Sequence, residues 1–324
     1  MRGLAARTLP LPHSVSNDGR MVITEPDPTV RAQELGSALC EAREAAGLTL
    51  KMAGDRIDVS PSKLSRLENG KGAVMAEEIS ALLAIYAITG TQRTKLLALA
   101  REAEKRGWWQ RSAPNFAERQ ETLISLESRA ITITNFEAVV IPGLLQTGEY
   151  TRSIMVESRL IDDSEVEGRM ITRLKRHSVL LRSRPPGLVA IIDELALVRV
   201  IGGRDVQRRQ LDHLVEMAQR PNIIIRVVPN ANRAHAGLAG GFMVIRRREG
   251  RPVVFLGNHT SSLFLEDRAE IAQYEEVTRL LLMDALDPAQ SVQYIAEQAA
   301  LLETGEQEPH GDAPDGSDLD QEQL

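Results

Sequence analysis

The sequence is poor in cysteine and in aromatic residues, and it contains no long apolar run. One cysteine among 324 residues, Cys40, excludes an intrachain disulfide and a cysteine-based metal site, so we interpret it as a packing residue in a reducing compartment. An aromatic content of 3% argues against a stacking platform for single-stranded nucleic acid. Neither a signal sequence nor the ~20 consecutive apolar residues of a membrane span is visible. We therefore expect a soluble, cytoplasmic protein without membrane contact.

The acidic charge of the chain is concentrated at its C-terminal end. The net charge is -6 at pH 7, yet the residues from 303 onwards include eight acidic side chains and no lysine or arginine. The rest of the chain is weakly basic. That balance permits contacts to nucleic-acid phosphates without requiring them.

Composition and periodicity divide the chain into five segments. Residues 1–29 and 304–324 predict a disordered leader and a disordered acidic tail, because both are polar and lack a sustained period. Residues 30–106 predict an all-α bundle, residues 107–120 a linker, and residues 121–303 an α+β (mixed α/β) domain. Two domains also agree with the length of the chain.

Apolar spacing predicts the elements of each domain. In the first domain the helical period predicts five short helices, at residues 31–46, 49–57, 60–69, 76–88 and 91–106. In the second domain, apolar runs typical of buried strands lie at 131–141, 188–193, 222–228, 241–246 and 252–256. Helical patterns alternate with them at 148–159, 164–183, 204–220, 268–285 and 289–302. The pattern does not give the order of the strands.

Residues 48–70, LTLKMAGDRIDVSPSKLSRLENG, contain the parts of a helix-turn-helix in order. Thr49 can cap the first helix, Gly54 is small where two helices must approach closely, and Asp58 tolerates the left-handed backbone of a turn. Ser60 is an N-cap residue and Pro61 suits the first position of the second helix. These features predict a second helix that begins at residue 60.

The second helix has two different faces. Leu64 and Leu67 can be buried, whereas Ser62, Lys63 and Arg66 can donate to guanine or to phosphate oxygens. Asn69 and Gly70 tolerate positive φ and end the helix. The predicted DNA-binding residues are Thr49, Lys51, Ser60, Ser62, Lys63, Ser65, Arg66, Asn69 and Lys71. An ordinary helical hairpin with a solvated basic face is the alternative.

The segment SPSKLSRLENG resembles the recognition helix of Xre/Cro–repressor-like regulators. The resemblance implies a lambda-repressor-like bundle that binds a double-stranded DNA operator. Two positions depart from the family pattern, which often has glutamine in place of Leu50 and glycine in place of Asp58. At the first position the chain lacks a polar side chain with which the family contacts DNA.

A wider resemblance covers nearly the whole chain. The segments GWWQ (107–110), FEAVVIPGLLQTGEYTRSIM (136–155), RPNIIIRVVP and AHAGLAGGFMVI are similar to actinobacterial regulators that join an Xre-type domain to a Scr-like (WhiJ-type) antitoxin domain. Those proteins are often encoded beside a small partner protein. The resemblance therefore implies a small partner here as well.

Motifs for catalysis, cofactors and metals are missing from the second domain. The glycine cluster after His235 lacks the GxxxxGKS or GxxxxGKT pattern and precedes a strand, and Gly202–Gly203 has no third glycine, so both predict turns. The acidic pair Asp193–Glu194 at a strand end predicts a helix cap. The histidines are dispersed and form no HExxH motif: His177, His213, His235 and His259. We expect no catalytic residue, no cofactor and no metal.

Two further features leave alternatives open. In residues 139–150, VVIPGLLQTGEY, Pro142 and Gly143 predict a turn that either lines a groove or forms a tight strand-to-helix corner with Leu144 and Leu145 in the core. Trp108 and Trp109 either pack at the domain junction or form an exposed recognition patch.

The sequence is most typical of a nucleoid-associated transcriptional regulator. One recognition helix reads only a few base pairs, so we expect a homodimer on two half-sites. The second domain would sense a small partner protein or ligand. The alternatives are an antitoxin-like interaction protein that binds DNA for autoregulation, and an enzyme that the helix-turn-helix targets to DNA.

Overall fold

The computed structural model describes residues 28–72, 74–103, 108–111, 116–230, 234–248, 250–258 and 261–304. The predicted disordered leader and acidic tail lie almost entirely outside these residues, and so does His259. Within the part described, no helix combines the length and the apolar content needed to cross a membrane.

The N-terminal region is a bundle of five helices, as predicted. They are α1 (Val30–Ala45), α2 (Leu50–Ile57), α3 (Pro61–Glu68), α4 (Ala76–Ile85) and α5 (Gly90–Glu102). Helix α1 packs against α3, α4 and α5, and fully buried aliphatic side chains such as Leu39, Leu64 and Leu82 fill the centre. Helix α4 is shorter than predicted, because Ala87 takes a left-handed backbone with φ 58°.

The segment predicted as a linker, 107–120, contains regular structure in the part described. Strand β1 (Trp108–Arg111) pairs with a strand near residue 263, and α6 (Phe116–Ser128) begins inside the segment. A four-residue strand that pairs with a partner about 150 residues away leaves little local pattern in the sequence. The predicted domain boundaries stay a prediction.

The remaining elements form the mixed α/β architecture that the sequence predicted. In chain order they are β2 (Ala130–Glu137), α7 (Gly148–Glu157), α8 (Asp163–His177), β3 (Gly187–Asp193), α9 (Glu194–Val198), α10 (Arg204–Met217), β4 (Ile223–Val228), β5 (Phe242–Arg247), β6 (Val253–Gly257), β7 (Ser261–Leu265), α11 (Arg268–Asp284) and α12 (Pro288–Thr304). The elements β1, β7, α6 and α9 were not predicted.

The seven described strands form one sheet in the order β1-β7-β6-β5-β2-β3-β4. Strands β2, β3 and β4 are parallel, while β5, β6, β7 and β1 join by antiparallel pairing. The carboxyl ends of the three parallel strands therefore meet at one edge, which is where open α/β sheets commonly bind ligands.

Both faces of the sheet are buried. Ile133, Leu188 and Ile225 point to one apolar cluster with α10 and α12, and Phe136 and Ile191 point to the other with α11. Strands that are covered on both sides appear as continuous apolar runs in the sequence. This explains why runs such as IIIRVV predicted strands correctly.

Helix α1 also contacts the sheet domain. Val30 belongs to the apolar core beside the sheet, and its backbone N donates to Glu266 Oε2 at 2.8 Å. Arg129 Nη2 donates to Ser37 Oγ at 3.0 Å. The helix that supports the bundle is therefore also its contact with the second domain.

Candidate nucleic-acid interface

Helix α2 and the turn after it have the geometry that the sequence predicted. Thr49 Oγ1 accepts a hydrogen bond from Met52 N at 3.1 Å, which caps the helix. Asp58 takes the left-handed backbone, with φ 56°. A Cβ atom on Gly54 would lie 2.2 Å from the carbonyl oxygen of Val59, so the turn packs directly on the helix at this position. The prediction of a close approach at Gly54 is confirmed.

Helix α3 begins and buries its apolar face as expected. Ser60 Oγ accepts from Lys63 N at 3.2 Å, and Pro61 is the first helical residue. Leu64 and Leu67 are buried in the core of the bundle. The positive φ at the end of the helix falls on Gly70 alone, because Asn69 has a φ of -89°.

The structure places the predicted DNA-binding residues at the amino ends of α2 and α3, on the outward side of α3 and just after α3. Ser65 is half-buried. The other eight are exposed: Thr49, Lys51, Ser60, Ser62, Lys63, Arg66, Asn69 and Lys71. The amino ends carry the positive end of the helix dipole, which favours phosphate. DNA contact by these side chains stays a prediction.

Lys63 has an acidic partner that sequence reasoning missed. Its Nζ lies 2.5 Å from Glu78 Oε1 on α4, and its side chain is 51% exposed. This ion pair joins α3 to α4, and Glu78 offsets part of the positive charge that Lys63 presents to solvent.

A buried ion pair fixes helix α3 to helix α1. Arg43 Nε donates to Glu68 Oε1 at 2.7 Å and Nη2 donates to Glu68 Oε2 at 2.9 Å, while Nη1 donates to Leu48 O at 2.9 Å. The side chains are only 11% and 6% exposed, and the bond to Glu68 raises the pKa of Arg43. One guanidinium thus connects α1, α3 and the segment that leads into α2.

The sequence held a signal for this pair. Glu68 follows Leu64 by four residues and Leu67 by one, so an acidic residue lies on the apolar face of the predicted helix. A carboxylate in such a position is expected to have a basic partner. The pattern did not identify Arg43, which lies 25 residues earlier.

In the second domain, polar side chains gather at the carboxyl edge of the parallel strands. His235 Nε2 donates to Asp193 Oδ2 at 2.9 Å, and His235 Nδ1 accepts from Gly237 N at 3.1 Å. Asp193 Oδ1 also accepts from Leu195 N at 2.8 Å, which caps α9. The prediction that Asp193 is a helix cap is confirmed.

Glu137, at the end of β2, is an acid with a raised pKa at this edge. Burial raises its pKa from 4.5 to about 7, although a hydrogen bond from Asn135 and the charges of Arg176 and Arg173 act in the opposite direction. Since the proton is held more tightly in the folded state, the stability contributed by this group is complete below pH 4.5 and is lost as the pH rises through about 7.

The variant Glu137→Gln should therefore flatten the pH dependence of stability. We expect it to be more stable than the wild type at pH 8 by roughly 3 kcal/mol and to differ little at pH 4.5. Urea unfolding at both pH values measures this, with the exposed Glu41→Gln as control. Equal gains at the two pH values would show that ionisation of Glu137 is not the cause.

The other predicted features of the second domain are turns and corners. Residues Gly143–Leu145 form a 3₁₀ turn with Leu144 and Leu145 buried, and Thr147 caps α7, which supports the strand-to-helix corner. Gly203 is the N-cap of α10, as expected for a helix-start turn. The side chains of Trp108 and Trp109 lie outside the described residues. No cluster of three metal-ligating side chains occurs in the part of the chain that the structure describes.

Five packed helices with this turn and this exposed second helix define a helix-turn-helix protein. Residues 34–96 match a family described as a helix-turn-helix domain. Residues 120–297 match a family described as a domain of unknown function (DUF5753). Because that match covers more than half of the chain, the protein belongs to the DUF5753 family. Comparison with curated proteins finds none that matches.

Proposed function

We propose that this protein is a sequence-specific transcriptional regulator of the Xre type, whose second domain senses a small partner protein or ligand. The observation that carries the proposal is the geometry of α3. Its apolar residues Leu64 and Leu67 are buried, and Ser62, Lys63 and Arg66 are exposed on the helix that would enter the major groove.

The proposal divides the DNA contacts into two kinds. Arg66 and Ser62 read base edges, because a guanidinium or hydroxyl on the outer face of a recognition helix can donate to guanine O6 and N7. Asn69, Lys71 and the amino ends of the two helices hold the phosphate backbone, which positions the protein but carries no sequence information.

This division predicts different effects for two substitutions. Arg66→Ala should weaken binding to the preferred site by about 1–3 kcal/mol and leave binding to unrelated DNA nearly unchanged, whereas Lys71→Ala should weaken both alike. Fluorescence anisotropy with specific and scrambled duplexes measures the difference, and Lys175→Ala on α8 is the control. A uniform loss in both variants would argue against base reading by Arg66.

The proposed regulator acts as a homodimer. A single recognition helix contacts few base pairs, and two helices about one DNA turn apart supply the usual specific affinity. The preferred site should therefore be a palindrome.

A second candidate function is that of an antitoxin-like interaction protein, in agreement with the resemblance to Scr-like, WhiJ-type proteins. Ile171 and Leu174 on α8 support it, because they lie three residues apart and are 55% and 47% exposed. If this function holds, the small product of a neighbouring gene co-purifies with the chain, and Ile171→Glu abolishes the complex. Co-purification that survives this substitution would assign the partner to another surface.

The proposal assigns no reaction to the second domain. In support, Asp193 and His235 bond to each other and to nearby backbone N–H groups, so their hydrogen-bonding atoms serve the local structure. Hydrolase activity that disappears in His235→Ala would overturn this view.

A further inference from the structure

A polar cleft lies between the helix-turn-helix and the sheet domain. Its volume is about 250 Å³. The lining residues come from α1, from the end of α3, and from two places in the second domain: Gln33, Ser37, Glu68, Asn69, Arg129, Arg247 and Arg248. The cleft is therefore bordered both by the end of the recognition helix and by the DUF5753 domain.

The lining carries an excess of positive charge. Three arginines face one carboxylate, and that carboxylate, Glu68, is already paired with Arg43. Glu34 and Glu266 lie near Arg247 and interact with it electrostatically. They therefore offset part of the positive charge of the cleft. Arg129 and Arg248 are exposed at the cleft. A positively charged concave surface of this kind attracts anions.

Arg247 is the buried member of this arginine cluster. It is only 8% exposed, and its Nη1 donates to Gln33 Oε1 while its Nη2 donates to Arg251 O at 3.1 Å. Its Nε is buried and has no hydrogen-bond partner. An unpaired N–H on a buried cation costs free energy, so Arg247 retains an unused donor beside the cleft that it lines.

Neighbouring groups contact two of the other donors, Arg129 and Asn69. Arg129 Nη2 is fixed by Ser37 Oγ at 3.0 Å. Asn69 Nδ2 uses one hydrogen on Ser65 O at 2.7 Å and retains a second. Guanidinium groups are the donors that recognise the oxygens of a phosphate group through paired hydrogen bonds.

We propose that this cleft binds a small ligand that carries a phosphate group, held by Arg129, Arg247 and Arg248. The walls come from both domains and Arg247 is buried, so a free ligand reaches it more readily than the backbone of a DNA duplex. The volume lies below the ~300–1,000 Å³ of sites for drug-sized ligands, which also favours a small anion.

The ligand would bridge the two domains, because the walls of the cleft come from α1 and the end of α3 on one side and from Arg129, Arg247 and Arg248 on the other. This regulatory consequence rests on the proposed DNA-binding function: a ligand that fixes the two domains changes operator affinity, and the operator changes ligand affinity by the same factor. Binding of the ligand itself does not require DNA.

The test is isothermal titration calorimetry of the full chain with inorganic phosphate, without DNA and with acetate at equal ionic strength as the control anion. We expect saturable binding of phosphate, and a loss of about tenfold or more in Arg129→Gln and in Arg248→Gln. Arg220→Gln, three residues after the end of α10 and outside the cleft, should bind as the wild type does. No saturable binding, or equal affinity in Arg248→Gln, would overturn the proposal.

A second measurement separates a free phosphate ligand from a phosphate of the DNA backbone. In phosphate-free buffer, operator affinity of Arg129→Gln and Arg248→Gln is expected to stay within about twofold of the wild type, with an unchanged salt dependence. A fall in affinity together with a salt slope that is smaller by about one would assign the arginines to DNA and reject the ligand site. If the chain binds no DNA, the calorimetry still tests the cleft.

Discussion

Replacing Glu68 by alanine is expected to reduce the stability of the helical bundle by about 3–5 kcal/mol and to abolish operator binding. The cause is Arg43, whose guanidinium would stay buried without its charge partner after the substitution. Because Arg43 also bonds to Leu48 O, the segment before α2 loses its support at the same time. Thermal unfolding followed by circular dichroism measures the loss.

Two further variants separate this effect from a general sensitivity to lost ion pairs. The double variant Arg43→Met/Glu68→Leu removes both charges and should regain most of the stability, since burial of unpaired charge is then avoided. The surface pair Arg208–Asp212, whose side chains are 35% and 53% exposed, is the control. Asp212→Ala should lower the free energy of unfolding by less than about 1 kcal/mol. If Glu68→Ala were as mild as Asp212→Ala, the buried pair would not stabilise the bundle.

The second large effect is expected at Gly54, where alanine should lower the free energy of unfolding by about 3 kcal/mol or more. The new Cβ would lie 2.2 Å from the carbonyl oxygen of Val59, and a backbone atom cannot rotate away as a side chain can. The turn must move, and α3 moves with it. We expect operator affinity to fall even at temperatures where the variant is folded.

Gly168 on α8 is a matched control for this substitution. A Cβ there has no heavy atom within 4 Å, so Gly168→Ala should stabilise its helix by about 0.5–1 kcal/mol. The two glycine-to-alanine changes are thus predicted to have opposite signs. Unfolding curves that shift in the same direction for both would contradict the close contact at the turn.

Local features of the fold could be predicted from the sequence. The caps at Thr49 and Ser60, the left-handed turn at Asp58 and the cap at Asp193 each depend on a few adjacent residues, and each is present in the structure. The buried strands were found because both faces of the sheet are covered and their side chains are continuously apolar.

Features that depend on distant residues were not predicted. Strand β1 exists because it pairs with β7, and the order of the seven described strands follows from such pairings rather than from local propensity. In the same way, Glu78 opposite Lys63 and Arg43 opposite Glu68 come from other helices. The cleft needs residues from both domains, so no single segment of sequence could indicate it.

Selection of bound oligonucleotides from a random pool tests most directly whether α3 reads a DNA sequence. The full chain is compared with Lys63→Ala/Arg66→Ala, and with Lys175→Ala as control, at near-physiological salt. Enrichment of a palindromic site by the wild type and by Lys175→Ala, lost in the double variant, is the predicted result. No enrichment by the folded wild-type chain would contradict the claim.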